Sequence, residues 1–291
     1  MNAIIFPGQG SQKVGMGREI CETFAPGNEI FERANAVLDF DLRELCFNGP
    51  DETLKNTLTA QPALLTVGFI HFEAAKSRGL AAQMTAGHSL GEYTALVAAG
   101  ALEFEDALRL VKQRAELMSN APQGAMAALI GLAEEKLEAV LKVAGESGVC
   151  VAANFNSPGQ IVVSGEVAAV EAAMKSAKNE GAKLAVKLPV SGAFHSPLLR
   201  DAGAKMSALI DAAPLVDAQI PVYQNTTARP ATKSEELRAA LRPQMTSAVN
   251  WTQTVQKMIE DGATNFIELG PGTVLTGLVK RIDKSVSLEN L

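Results

Sequence analysis

Cysteine is scarce in this sequence. The three present, Cys21, Cys46 and Cys150, are odd in number and far apart, which suggests no disulfide framework and leaves no pair with metal-ligand spacing. A reducing compartment fits that usage. Histidine is equally rare, with three in 291 residues, so any reaction that needs an imidazole has few candidates. No sign of charge dominates. The formal net charge of −6 argues against nucleic acid or an anionic membrane as a partner, and an acidic partner would need a local basic patch. No apolar run reaches the ~20 residues that span a bilayer. The opening residues Met1 to Gly8 have neither a basic n-region nor a useful h-region. These absences predict a cytoplasmic protein that binds neither nucleic acid nor membrane.

What is present is ordinary for a globular enzyme: 47% apolar and 20% charged residues. The length allows one large core, or a core with a smaller inserted domain. Ala3 to Phe6 reads as a short apolar strand, followed by a loop with Gly8, Gly10, Gly15 and Gly17. Helical patterns cover about 29–38, 63–77 and 104–119. The second is apolar almost all round, which predicts burial. A strand end at Met84 to Ala86 leads into Gly87-His88-Ser89-Leu90-Gly91 and a further helix. The middle third reads β-α-β-β-α-β, with strands near 125–130, 149–153, 160–164 and 182–188, the ferredoxin-like split unit. The last third alternates again, with strands near 222–223 and 266–269 and a helical stretch opening at His195. The fold class expected is α/β: a large domain of residues 1–122 and 193–291, with a mainly parallel sheet covered by helices (an α/β-hydrolase-like core), and a small ferredoxin-like domain of residues 123–192 inserted in it.

Gly87-His88-Ser89-Leu90-Gly91 fits G-x-S-x-G, the nucleophile elbow. There a serine is held between strand and helix in a strained turn, and small neighbours let the chain bend and a substrate approach. A chance turn of small residues is the plain alternative. A serine nucleophile needs a base. His88 is adjacent and predicted to point away, and His71 lies in the apolar helix as a core residue. His195, in Ser191-Gly192-Ala193-Phe194-His195-Ser196, stands at a loop-to-helix junction and is the candidate base. On the helix 104–118, at ~100° per residue, Arg114 is the only charge within the apolar arc. A buried guanidinium needs an anion, either a protein carboxylate or a substrate carboxylate held by its two-pronged fork. The N-terminal glycines do not make a nucleotide loop: Lys13 stands where G-x-G-x-x-G needs its third glycine, and Met16 where a Walker A loop needs lysine.

Phe6-Pro7-Gly8-Gln9-Gly10-Ser11-Gln12, Gly87-His88-Ser89-Leu90-Gly91-Glu92, Gln113-Arg114, Gly192-Ala193-Phe194-His195-Ser196 and Glu268-Leu269-Gly270-Pro271-Gly272 occur in this order along the chain. Together they resemble the malonyl-CoA:acyl carrier protein transacylases of type II fatty acid synthesis, over essentially the whole chain. The resemblance implies Ser89 as nucleophile and His195 as its partner. It implies an oxyanion hole from the Gln9 and Leu90 amides, and Arg114 as the holder of the malonyl carboxylate. It also implies a main-chain carbonyl in place of the usual aspartate to orient the histidine, and the matching position is Asn250, where many members have glutamine. Gln61 falls in a stretch similar to the active-site wall. Phe194 stands where malonyl-selecting members carry a bulky residue, although a core role is the alternative. Malonyl-CoA and an acyl carrier protein would be the partners, with coenzyme A ester as substrate, no tightly bound cofactor, no metal, and a monomeric enzyme. A freestanding acyltransferase serving a polyketide synthase would look the same. A serine hydrolase and a catalytically dead carrier-protein docking module are the other readings. A basic surface including Lys183, Lys187, Lys280 and Arg281 is expected near the site mouth.

Overall fold

A computed structural model describes residues 1–190 and 192–291. Ser191, in the motif around His195, lies outside them. Among the described residues ten strands form two sheets. They are β1 (Asn2–Phe6), β2 (Met84–Gly87), β3 (Ala125–Ile130), β4 (Cys150–Ser157), β5 (Gln160–Gly165), β6 (Leu184–Lys187), β7 (Val222–Tyr223), β8 (Pro230–Ala231), β9 (Asn265–Glu268) and β10 (Ser287–Asn290).

The larger sheet has the order β10-β9-β1-β2-β7-β8 and is parallel throughout, except for the β7–β8 pair. Its central strand is apolar on both faces because both faces are covered. Ile4 and Phe6 point into a core shared with the helices Thr57–Ser77, Gly91–Ala98 and Phe104–Ser119. Ala3 and Ile5 point the other way, towards Trp251, Val255, Met258 and Leu278 of two C-terminal helices. In the β1–β2 register Phe6 lies opposite Gly87. The two loops that follow, Pro7-Gly8-Gln9 and His88-Ser89, therefore leave the sheet side by side at its carboxyl edge, where open α/β sheets carry their sites.

The smaller sheet is antiparallel, in the order β4-β5-β3-β6. One face packs on the helices Leu137–Gly145 and Val167–Asn179 through Ala127, Leu129, Val163, Val140 and Val170. Met126, Ala128 and Val162, on the other face, join the main core. Two isolated bridges tie this unit to the rest. Gln123 pairs with Gly192, and Asn154 pairs with Val249.

Several boundaries differ from those read in the sequence. The apolar helix begins at Thr57, not 63, and carries Pro62 inside it. At the sixth helical position the proline removes one intrahelical donor, the buried surroundings carry the helix through it, and the added residues present Gln61. His195 does not open a helix. Its φ is 58°, and a short 3₁₀ turn, Pro197–Leu199, precedes the helix Arg200–Ala212. No helix among the described residues is long and apolar enough to cross a membrane.

Candidate active site

Ser89 has φ 51°, a left-handed conformation that costs a non-glycine residue of order 1 kcal/mol or more. The surroundings enforce it. A Cβ on Gly87 would fall 1.9 Å from the Gly91 backbone, one on Gly91 would fall 2.1 Å from the Phe6 carbonyl oxygen, and one on Gly8 would fall 2.5 Å from that of His88. Only glycine lets β1, β2 and the helix Gly91–Ala98 approach so closely. Asn225, in the loop after β7, clamps the turn from the side. Its Oδ1 accepts from the Ser89 amide at 2.7 Å and its Nδ2 donates to the Gly87 carbonyl at 2.7 Å. Among the described residues nothing accepts from the amides of Gln9 or Leu90. Gln9 is tied by its side chain to Thr57 at the start of the long apolar helix, at 3.1 Å.

His195 is buried, and its Nε2 lies 2.8 Å from Ser89 Oγ. Nδ1 faces two main-chain carbonyls, Gln244 at 2.9 Å and Ser247 at 3.1 Å. Carbonyls only accept, so Nδ1 carries the hydrogen and Nε2 presents its lone pair to the serine hydroxyl. Asn250, the position matched for this orienting role, is not one of them. It stands before the helix Trp251–Glu260 and spends its side chain on the Thr226 carbonyl at 2.9 Å. The 3₁₀ turn Gln244–Thr246 brings the two carbonyls to the imidazole instead. Burial, and then the Arg114 charge, hold the His195 pKa down to about 3, so the ring is neutral near pH 7. The other two histidines lie elsewhere. His88 bonds Asn156 Oδ1 through Nε2 at 2.8 Å. His71 lies ten residues further along the helix that presents Gln61.

Arg114 is 1% exposed. Its Nη1 donates to Gln61 Oε1 at 2.7 Å, and its Nη2 donates to Ser89 Oγ at 2.9 Å and Gln244 Oε1 at 3.1 Å. The Tyr93 ring lies under it, 5.6 Å from the guanidinium carbon. Every partner is neutral, and among the described residues no carboxylate makes an ion pair with it. The serine hydroxyl is thus held by two groups at once, an imidazole lone pair that draws its proton and a cation that favours the oxygen as it gains charge. A nucleophile, a neutral base and a buried cation within hydrogen-bond reach are the parts needed for acyl transfer from an anionic acyl group. Phe194 is 7% exposed and part of the main core, its ring over Gly192.

Sequence reasoning missed Gln244, Ser247, Asn225 and Glu92. Gln244 touches the most: its backbone carbonyl takes the His195 hydrogen, its Oε1 accepts from Arg114, and its Nε2 donates to the Ser89 carbonyl at 2.9 Å and to Glu92 Oε2 at 2.7 Å. Glu92 had a visible signal as the residue that follows the elbow motif. Gln244 had none.

Known proteins resemble this chain over nearly its whole length. Residues 3–289 match the acyl transferase domain family. The malonyl CoA-acyl carrier protein transacylase of Bacillus subtilis is 45% identical over 286 residues, covering 97% of this chain and 90% of that protein. The crystal structure of an acyl carrier protein S-malonyltransferase from Vibrio cholerae is 40% identical, with a TM-score of 0.96 over 100% of this chain and 96% of that one. A malonyl-transacylase solved in complex with its type II polyketide synthase acyl-carrier protein is 39% identical, with a TM-score of 0.97 over 100% of this chain and 95% of that one. Full-length matches at this identity are decisive: the chain belongs to the acyl transferase domain family.

Proposed function

We propose that this enzyme transfers malonyl from malonyl-CoA to the phosphopantetheine thiol of an acyl carrier protein, through a malonyl ester on Ser89. The observation that carries the reading is Arg114: a buried guanidinium with only neutral partners, bonded to the nucleophile itself, suits an acyl group with a free carboxylate. The named function of the relatives points the same way.

In the first half-reaction Ser89 Oγ attacks the thioester carbonyl as its proton passes to His195 Nε2. The Gln9 and Leu90 amides receive the oxyanion. The intermediate collapses, the C–S bond breaks, and the coenzyme A sulfur takes the proton from Nε2. In the second, the carrier thiol gives its proton to Nε2 and its sulfur attacks the ester. Ser89 leaves and is reprotonated by His195. The Gln244 and Ser247 carbonyls hold the imidazolium through Nδ1 in both halves. Gln61 fixes the far side of the guanidinium, and Phe194 stands beside the base as a candidate limit on acyl branching.

The same reading covers the architecture. The sheet order β4-β5-β3-β6 with two helices on one face supports an inserted ferredoxin-like domain of residues 123–192, and the Gln123–Gly192 bridge falls at its two ends. The parallel sheet with a serine elbow after an inner strand supports a hydrolase-like core for residues 1–122 and 193–291. A polyketide carrier remains a second destination for the same chemistry, favoured by the polyketide carrier complex among the similar structures.

The test is intact mass after brief exposure to malonyl-CoA. One malonyl adduct is expected on the wild type and none on Ser89→Ala. Adding fatty acid and polyketide carrier proteins to the loaded enzyme then separates the two destinations. Loss of the adduct to water at the same rate with and without carrier would make the protein a hydrolase.

A further inference from the structure

Glu92 is the third residue after the nucleophile, in the first turn of the helix Gly91–Ala98, and is 2% exposed. A buried carboxylate is costly unless its oxygens are satisfied. Its Oε2 accepts from Gln244 Nε2 at 2.7 Å, and its Oε1 accepts from the Asn225 amide at 3.4 Å. Both donors belong to residues that themselves hold the active site. Gln244 touches Ser89, His195 and Arg114, and Asn225 clamps the elbow. No cation makes an ion pair with Glu92 among the described residues. Its counterpart is Arg114, which meets the opposite end of the same Gln244 amide.

We propose that Glu92 is a positioning residue for the acyl transfer: its carboxylate fixes which way the Gln244 side chain points and stands as the counter-charge of Arg114 across that one amide. A carboxylate only accepts, so Gln244 must turn its NH₂ towards Glu92, which aims its oxygen at Arg114. The chain then runs guanidinium, amide oxygen, amide NH₂, carboxylate. This arrangement answers how a buried arginine stays charged with no carboxylate against it. The compensating charge lies one side chain away, and the guanidinium keeps donors free for a substrate carboxylate. A carboxylate in direct contact would occupy them.

The isosteric substitution Glu92→Gln separates this from a merely structural role. A glutamine has one acceptor oxygen for two incoming donors, so it must set its own NH₂ against Gln244 or Asn225. The kinetic arm rests on the malonyl-transfer reading and uses the rate of Ser89 malonylation by quenched-flow mass spectrometry. Glu92→Gln should load at least about tenfold more slowly, with a KM for malonyl-CoA no higher than wild type, since Arg114 would be less compensated. Glu92→Asp should recover part of the rate. The wild-type rate should fall as pH drops through about 7, where burial has raised the Glu92 pKa, and Glu92→Gln should lack that limb. The other ionisable groups facing Glu92 do not titrate there. Arg114 stays protonated, the Tyr93 phenol is pushed up to about 12, and His195, beyond Gln244, is held at about 3.

A second arm needs no activity at all. Thermal unfolding of Glu92→Gln in the wild-type and Arg114→Met backgrounds should show a clearly smaller Tm loss in the second, because the charge that Glu92 balances is gone. Refolding only in the Arg114→Met background would count the same way. Equal Tm losses in both backgrounds, or failure to fold in both, overturn the proposal, as does a Glu92→Gln enzyme that keeps the wild-type acid limb. Failure of the wild type to become malonylated at all would instead strike the malonyl-transfer reading and leave the unfolding arm standing.

Discussion

At the scale of single residues, the site is built on one cation surrounded by neutral oxygens. Gln61, Gln244 and Ser89 orient Arg114 without neutralising it. In the proposed reaction its charge is spent on the acyl carboxylate, so Arg114→Ala should lose far more malonyl loading than acetyl loading. Removing one partner of a desolvated charge pair costs on the order of 2–5 kcal/mol. Loading rates with the two coenzyme A esters measure the difference, and equal losses in a folded variant would assign Arg114 a structural role. Ser89, His195 and Arg114 were legible in the sequence: the first from its glycines, the second because only three histidines exist, the third because one charge broke an apolar helical face. The carbonyls at Gln244 and Ser247 were not, since any residue can offer a main-chain oxygen. The hydrogen bonds that make Gln244 a hub also reach across as many as 155 positions, a range over which periodicity says nothing. Asn250 was matched to the role by resemblance alone, and the fold gives its side chain to the Thr226 carbonyl instead.

Among the elements, the closest approach in the site is backbone on backbone. β1 and the helix Gly91–Ala98 meet where a Cβ on Gly91 would fall 2.1 Å from the Phe6 carbonyl oxygen, and a neighbour cannot give way because it is the central strand. Gly91→Ala should therefore lower stability by about 3 kcal/mol or more and abolish Ser89 labelling even in whatever fraction folds. Thermal unfolding and adduct mass on the same sample check both halves, and a variant with normal Tm would mean that the elbow is more compliant than its packing indicates. Apolar runs made β1, β2 and β9 readable, and the β-α-β-β-α-β order was readable from its alternating period. β7 was read at its full extent, although nothing in those two residues showed that it delivers Asn225 to the elbow, while β8, also two residues, carried no pattern of its own. The helix that presents Gln61 was read from 63 and begins at Thr57; the proline at 62 is locally disfavoured inside a helix, and only the buried surroundings override it.

At the scale of the whole molecule, the two sheets are joined close to the site. Asn156, on β4, bonds His88, and Gln160, at the start of β5, accepts from Arg281 on the last helix. Of the four cations expected near the mouth, Arg281 thus sits where the two units touch, while Lys187 lies 3.9 Å from Glu171 on the surface of the small unit. Arg281→Glu should raise the KM for carrier protein and leave loading from malonyl-CoA unchanged. An exposed charge is worth about 1 kcal/mol at most, so the expected rise is roughly fivefold. Steady-state transfer at two salt concentrations measures it, and a KM and salt dependence both unchanged would move the docking surface away from this seam.

The Gln123–Gly192 bridge sets the entry and exit of the small sheet side by side. A segment that leaves and returns through one doorway makes no demand on the register of the parallel strands behind it. The two helices on its outer face can change while the serine, the base and the arginine keep their places, provided β4 keeps its contacts with His88 and Val249. A lineage built this way is free to revise that outer layer without rebuilding the residues gathered around Ser89.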